Sequence, residues 1–265
     1  MWVVNVIKKG KISICFLLLI PLVIPIASAD TTGIYMIEWF QYEFPPDGWE
    51  KSEHQYMPDL FPHWIQSNTN FADGPADYPL EAALFSENID TSIADTAFLI
   101  SKPIDTSNSI TLTLWFNTYW NITYYGYDYF SPALDVFSRS DETDVWTQIT
   151  PWEMNQYEFD THQISMDVTH DIGPATQIKF EFNGFAWTFD KWCIDDVIIY
   201  SLPGDIDMNM AVDIVDLGIL LRSFGYEVGD DMYNILADFN RDNIVDIQDL
   251  GILLGYYNMV IYIPK

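Results

Sequence analysis

The sequence predicts a mainly β protein, a β-sandwich followed by a small helical module, and three observations predict it. Between residues 30 and 202 apolar residues recur at every second position in short runs separated by polar turns. From Gly204 to Asn258 one pattern occurs twice, 33 residues apart, each copy closing with Asp-Leu-Gly-Ile-Leu-Leu. The helical period is confined to those closing segments, where Leu217, Leu220, Leu221 and Phe224, then Leu250, Leu253, Leu254 and Tyr257, recur at i, i+3, i+4 and i+7.

The chain opens with Lys8, Lys9 and Lys11 ahead of an apolar run from Ile12 to Ile26, closed by Ala27-Ser28-Ala29. That is the layout of a secretory signal with an A-x-A cleavage site. The run is broken by Pro21 and Pro25 and falls short of the ~20 residues a membrane span needs. The expectation is therefore a signal peptide over 1–29, a secreted mature chain from Asp30, and no membrane span after cleavage. Loss of 1–29 removes three of 11 basic residues and none of 39 acidic ones, taking the formal charge from −28 to −31. Nucleic acid is excluded as a partner by that charge. Cys15 leaves with the signal and Cys193 remains alone, so the mature chain has no intramolecular disulfide.

Strands are expected over Ala97–Ile100, Ala133–Arg139, Val145–Ile149, Phe159–Val168 and Trp192–Tyr200. Ile110, Leu112, Leu114 and Phe116 face one way, with Thr111, Thr113, Trp115 and Asn117 opposite; Ile178, Phe180 and Phe182 alternate with Gln177, Lys179 and Glu181. Beyond Asn117 the alternation fails while aromatic residues continue. A loop displaying Trp120, Tyr124, Tyr125, Tyr127 and Tyr129 is expected there, available to stack on sugar rings or a partner surface, or folded back over the sandwich edge. Asp195 and Asp196 interrupt the last apolar strand, and a buried carboxylate needs a cation or donors. Phe44-Pro-Pro-Asp-Gly-Trp49, Ala97 to Ile104, Leu134 to Ser138 with Trp146, and Trp192-Cys-Ile-Asp-Asp-Val197 resemble the MAM-like, choice-of-anchor J jelly-roll domains of secreted proteins. The resemblance implies a jelly-roll β-sandwich over 30–202 that serves adhesion or binding. It also implies a structural Ca²⁺ joining Asp195 or Asp196 to Glu38 or Glu43.

The duplicated copies begin with twelve-residue loops. The first offers Asp205, Asp207, Asn209, Asp213 and Asp216 at positions 1, 3, 5, 9 and 12, and the second Asp238, Asn240, Asp242, Asp246 and Asp249. Oxygen side chains at that spacing, with the position 7 carbonyls of Ala211 and Ile244, suit Ca²⁺, which takes six to eight oxygens. Two Ca²⁺ sites are expected, and the cation has structural work to do, because a module of about 55 residues has little core of its own. Position 6 needs a backbone with φ > 0; Asn243 tolerates it and Met210 does so at a cost, so the second site is expected to be the stronger. Pro203-Gly204 stands where an ordinary EF-hand has its entering helix. Loop-then-helix duplication of this kind resembles a type I dockerin over 203–258, with 259–265 as a C-terminal tail. The resemblance implies a cohesin-like partner on a scaffold or cell surface. With the Leu217 and Leu250 stripes turned inward, it implies contacts through Ile214, Val215, Ile219 and Arg222 in one repeat and Ile247, Gln248 and Ile252 in the other, with the core an equal alternative for Ile214 and Ile247.

No nucleophile elbow, HExxH helix, phosphate loop or CxxC pair is present, and His54, His63, His162 and His170 lack metal-ligand spacing. The expected function is a secreted, non-catalytic binding or adaptor protein with a glycan or protein ligand on its sandwich. The competing expectation is an accessory or catalytic subunit of an extracellular complex that degrades polysaccharide or protein.

Overall fold

A computed structural model describes residues 6–8, 11–13, 33–52, 63–68, 80–85, 94–122, 132–150, 161–185 and 189–263. Within the expected signal, β1 (Val6–Lys8) and β2 (Lys11–Ser13) form a short antiparallel hairpin. The sandwich comprises β3 (Gly33–Glu38), β4 (Glu50–Lys51), β5 (His63–Ser67), β6 (Glu81–Phe85), β7 (Ala94–Ile100), β8 (Thr113–Ile122), β9 (Ala133–Arg139), β10 (Thr147–Thr150), β11 (Thr161–Asp167), β12 (Gln177–Phe185) and β13 (Phe189–Ser201). One sheet has the order β10-β9-β12-β7-β4, the other β11-β8-β13-β6-β5, and β3 continues along β13 beyond the end of β6. From β7 onward nearly every connection crosses between the sheets, as in a jelly roll. The helices are α1 (Ile214–Ser223) and α2 (Ile247–Tyr256).

Alternation builds the sandwich core. Leu114, Phe116 and Trp120 of β8, Leu134 and Val136 of β9, Ile178, Phe180 and Phe182 of β12, and Trp192, Ile194, Val197 and Ile199 of β13 pack between the sheets. Phe180 lies edge-on to Phe116 with ring centroids 5.2 Å apart, and Trp192 lies 5.3 Å from Trp64. In β13 the inward residues are even-numbered up to Ile194 and odd-numbered from Val197. A register shift between Asp195 and Ile198, with Asp196 at φ 51°, makes the switch, since an extra residue in one strand reverses every later side chain.

That reversal turns Ile198 and Tyr200 to the outside of the sheet, where the C-terminal module covers them. A second apolar cluster joins Trp115, Ile198, Tyr200 and Leu202 to Ile206, Met210, Val212, Leu220, Ala237, Phe239, Val245 and Leu253. The module thus completes its core on the sandwich, as a unit of its size requires. No linker separates the two parts: Leu202, Pro203 and Gly204 are all buried.

Two expectations are corrected here. Ile110 lies ahead of β8, whose ladder begins at Thr113, and packs toward the module rather than into the sandwich. Strand β8 runs on to Ile122, because Trp120 pairs with Trp192 and the Thr118 hydroxyl donates to the Cys193 carbonyl at 3.0 Å. The expected C-terminal tail is paired at its start, as far as Ile261. Asn258 N donates to Val212 O, Val212 N to Met259 O, and Ile261 N to Met210 O. Thirty-three residues earlier, Gly225 N donates to Val245 O, Val245 N to Tyr226 O, and Val228 N to Asn243 O. Each loop is therefore strapped by the segment following the other repeat's helix.

Candidate calcium centres and the surfaces beside them

The two loops share one backbone design. Left-handed residues occur at matching positions, Met208 (φ 57°) and Met210 (φ 69°) in the first, Arg241 (φ 57°) and Asn243 (φ 74°) in the second. The last carboxylate of each loop folds back over its start. Asp216 Oδ1 accepts from Ile206 N at 2.7 Å and Asp207 N at 3.2 Å, and its Oδ2 from Asp213 N at 2.8 Å. Asp249 repeats this with Phe239 N, Asn240 N and Asp246 N. Asp213 and Asp246 cap the helices, accepting from Val215 N and Gln248 N at 2.7 Å each, so loop closure and helix initiation are one event.

The first carboxylate of each loop is held by a tyrosine. Asp205 Oδ2 accepts from Tyr200 Oη at 2.9 Å and Met210 N at 3.0 Å, and Oδ1 from Asn209 N at 2.9 Å. Asp238 Oδ2 accepts from Tyr233 Oη at 2.7 Å and Asn243 N at 2.9 Å. Its Oδ1 is buried without a hydrogen-bond donor, in a residue only 3% exposed. An acceptor left bare in such a place is costly unless a cation or water meets it.

In loop one, ligand atoms of Asp205, Asp207 and Asp216 lie within 4.8 Å of one another, and no other group of three or more such side chains converges so among the described residues. Burial pushes the Asp205 carboxyl up to about 6. Asp207 is raised by burial and then by the charges of Asp216 and Asp213, and Asp249 is raised by burial. Gathered carboxylates resist ionising together, and a divalent cation reverses that resistance. All the donors are oxygens, the set that hard cations prefer. Ala211 and Ile244, the carbonyl positions, are fixed by bridges to Val260 and Glu227. The residues present fit Ca²⁺ at both loops.

In the sandwich, Asp195 and Asp196 are both buried where β13 bulges. Asn117 Nδ2 donates to Asp196 Oδ2 at 2.8 Å. Burial, then the charges of Asp196, Glu81 and Glu38, push Asp195 up to about 9. Glu38 is itself raised by burial and accepts from Phe40 N at 2.7 Å. Glu43 is exposed, so Glu38 is the N-terminal acid that faces the pair. Glu81, almost fully buried, joins them and was missed in the sequence; its signal is a lone acid heading the apolar Ala82-Ala83-Leu84.

Trp120 is corrected from a displayed aromatic to a core residue: it is 7% exposed and stacks on His162 at 4.6 Å. Tyr124, Tyr125, Tyr127 and Tyr129 lie outside the described residues. The helix faces are corrected as well. Asp216 must point at its loop, so the buried stripe of α1 runs Asp216, Leu220 and Ser223, and α2 buries Asp249 and Leu253. Leu221, Phe224 and Leu254 face solvent, whereas Ile219 and Ile252, expected at the partner surface, are half-buried against the apolar cluster. Ile214, Val215, Arg222, Ile247 and Gln248 are exposed.

No family model matches the chain, and no curated protein matches it. Several solved β-sandwich domains show a loose likeness. The K1 cleaved adhesin domain of Lys-gingipain from Porphyromonas gingivalis is 16% identical, with 63% of this chain and 97% of that one covered at a TM-score of 0.42. The CBM22-1 xylan-binding domain of Xyn10C from Paenibacillus barcinonensis is 10% identical, with 66% and 97% covered at 0.38. The carbohydrate-binding module TmCBM27, described for specific mannan recognition, is 12% identical, with 64% and 97% covered at 0.37. At these identities and scores nothing about ligands follows for this chain. Among the described residues, no helix is long and apolar enough to cross a membrane.

Proposed function

We propose that this is an exported, non-catalytic binding protein whose C-terminal module loads two Ca²⁺ ions and docks on a cohesin-like protein of a scaffold or cell surface. The observation that carries the reading is the buried, donorless Oδ1 of Asp238 at the head of a loop matched, 33 residues earlier, by three converging carboxylates. Asp205, Asp207, Asn209, Asp213, Asp216 and the Ala211 carbonyl hold one ion. Asp238, Asn240, Asp242, Asp246, Asp249 and the Ile244 carbonyl hold the other. The cation supplies the positive charge that lets the carboxylates stay ionised together. What the protein's own residues do is bind the ion at both ends of a loop and thereby set the first turn of a helix.

The docking surface in this reading is the pair of helix faces carrying Ile214, Val215 and Leu221 in α1 and Ile247, Gln248 and Leu254 in α2. Five of these six side chains are apolar and at least half exposed, the composition of a surface meant to be covered. The sandwich takes a glycan or protein ligand. Two rings at its five-stranded sheet are flanked by cations, Trp146 just ahead of β10 with Arg139 at 4.4 Å from its centroid, and Phe137 of β9 with Lys179 at 4.2 Å. A third Ca²⁺ would draw on Asp195 and Asp196 at the β13 bulge with Glu38 or Glu81, acids that are near enough to raise Asp195 but are not gathered as the loop-one carboxylates are.

Calorimetric titration and native mass spectrometry of residues 30–265 test the calcium reading, with at least two ions per chain as the expected result. Absence of any bound ion at millimolar Ca²⁺ overturns it. Titration with purified cohesin domains, in Ca²⁺ and in chelator, tests the docking. Bound calcium with no cohesin affinity removes the partner and leaves the metal sites standing.

A further inference from the structure

Tyr200 is a residue of the sandwich, buried in β13, yet its hydroxyl donates to Asp205, the first carboxylate of loop one. The same contact recurs in the second repeat between Tyr233 and Asp238, again five residues apart. Each repeat therefore begins at a tyrosine, and the first of them is the end of the sandwich's central strand. A second contact crosses the same boundary: Ser165 of β11 donates its hydroxyl to the Met208 carbonyl of loop one at 3.1 Å. Ile206, Met210 and Val212, all from loop one, lie in the apolar cluster with Trp115, Ile198 and Tyr200 of the sheet. In the second repeat, by contrast, Tyr233 belongs to the module itself.

We propose that loop one is a cation-dependent clasp between sandwich and module, in which Tyr200 positions Asp205 for the ion, so that binding there tightens the outer face of the β11-β8-β13 sheet while binding at loop two does not. This rests on the calcium reading above and adds a direction of coupling to it. A carboxylate has two oxygens; the tyrosine fixes Oδ2, which leaves the orientation of Oδ1 set before an ion arrives. Preorganisation of that kind strengthens binding by removing an ordering cost. Because Tyr200 is locked in the β13 ladder, the benefit is reciprocal: whatever the sheet contributes to ion affinity, the ion returns to the sheet.

Hydrogen exchange by mass spectrometry on residues 30–265, with and without Ca²⁺, reads the coupling directly, alongside calorimetric Ca²⁺ titration. The expected wild-type result is slower exchange on adding Ca²⁺ in both loops and also in 113–120, 161–167 and 195–201. Tyr200→Phe removes one hydroxyl; it is expected to weaken one of the loop sites about tenfold and to diminish the calcium response of the sheet. Tyr233→Phe is expected to weaken the other loop site and leave the sheet response intact. Should Tyr200→Phe fold poorly, Ser165→Ala, which touches no candidate ligand, is expected to diminish the same sheet response. Calcium binding with a sheet that does not respond, or a Tyr200→Phe protein that responds as wild type does, overturns the clasp and spares the calcium sites. A wild-type chain that binds no Ca²⁺ overturns both.

Discussion

Met210 and Asn243 occupy the same left-handed position in their loops, and the chain around them decides what that costs. An L-residue other than Asn or Gly loses on the order of 1 kcal/mol there, which from sequence makes loop one the weaker. The structure adds that Met210 is buried among Ile206, Val212 and Tyr200, whereas Asn243 is exposed. Burying a methionine is worth about 1.5–3 kcal/mol, so packing outweighs strain. Met210→Asn is therefore expected to lower chain stability by about 1 kcal/mol despite its better backbone fit, while Asn243→Met costs a similar amount through strain alone. Urea denaturation in saturating Ca²⁺ measures both, and a stabilised Met210→Asn protein would show that strain dominates. Asp195 makes a prediction of opposite character. Its carboxyl, near 3.8 when unfolded, is pushed up to about 9 in the fold by burial and by Asp196. A raised folded value favours the protonated form, so the contribution is fully present below about pH 4 and is lost as pH rises toward 9. Asp205, raised to about 6, adds in the same direction over the lower part of that window. The calcium-free chain should resist urea better at pH 5 than at pH 8, with Asp195→Asn flattening the difference. A midpoint that rises between those pH values would contradict it.

Among the elements, α1 and α2 show where reading by periodicity succeeds and where it stops. Their existence is legible, because an apolar period of 3.6 follows directly on a run of loop oxygens, whereas Asp213 and Asp246 read from sequence as ion ligands and show themselves as caps only in the structure. Their orientation is not, because Leu217, Leu220, Leu221 and Phe224 form as good a stripe as the one observed. What selects the observed face is a polar requirement, that Asp216 and Asp249 reach back to the loop amides. It follows that Ile219→Asp or Ile252→Asp, both half-buried, should destabilise the module by about 1–3 kcal/mol. Leu221→Asp and Leu254→Asp should leave thermal unfolding nearly unchanged and weaken only partner binding. Equal destabilisation by all four would place the exposed leucines in a packed environment. The strands divide similarly. β9 and β12 match their alternating patterns, since each has one apolar and one polar face. β6 was not foreseen, because Ala82, Ala83 and Leu84 are buried on both sides and carry no alternation. In β13 the bulge at Asp195 changes parity within one strand, and a bulge leaves no periodic trace.

At the scale of the whole molecule, the joint between sandwich and module is the feature that residues read in order could not show. Trp115 sits on the polar side of an alternating strand and Ile198 and Tyr200 follow a parity switch, so none announces a second interface. In space the three form one apolar floor, and the module has its core only when it rests there. Two consequences follow from burial alone. A chain cut after Leu202 leaves Trp115, Ile198 and Tyr200 facing water, and each large side chain so exposed forfeits about 1.5–3 kcal/mol. The module cut free at the same point loses the other half of its core, and at about 55 residues has little to replace it. Residues 30–202 alone are accordingly expected to bind a hydrophobic dye, to self-associate, and to melt well below residues 30–265 in Ca²⁺. Replacing Ile198 with Lys in the truncated chain should restore solubility, since that side chain then faces water in its polar form, whereas the same change in the full chain should destabilise it by burying a charge against Leu202 and Ile206. Dye fluorescence, sedimentation and thermal melts of the four proteins decide the matter. A truncated sandwich that is monomeric, silent toward the dye and as stable as the full chain would mean that the two parts merely touch.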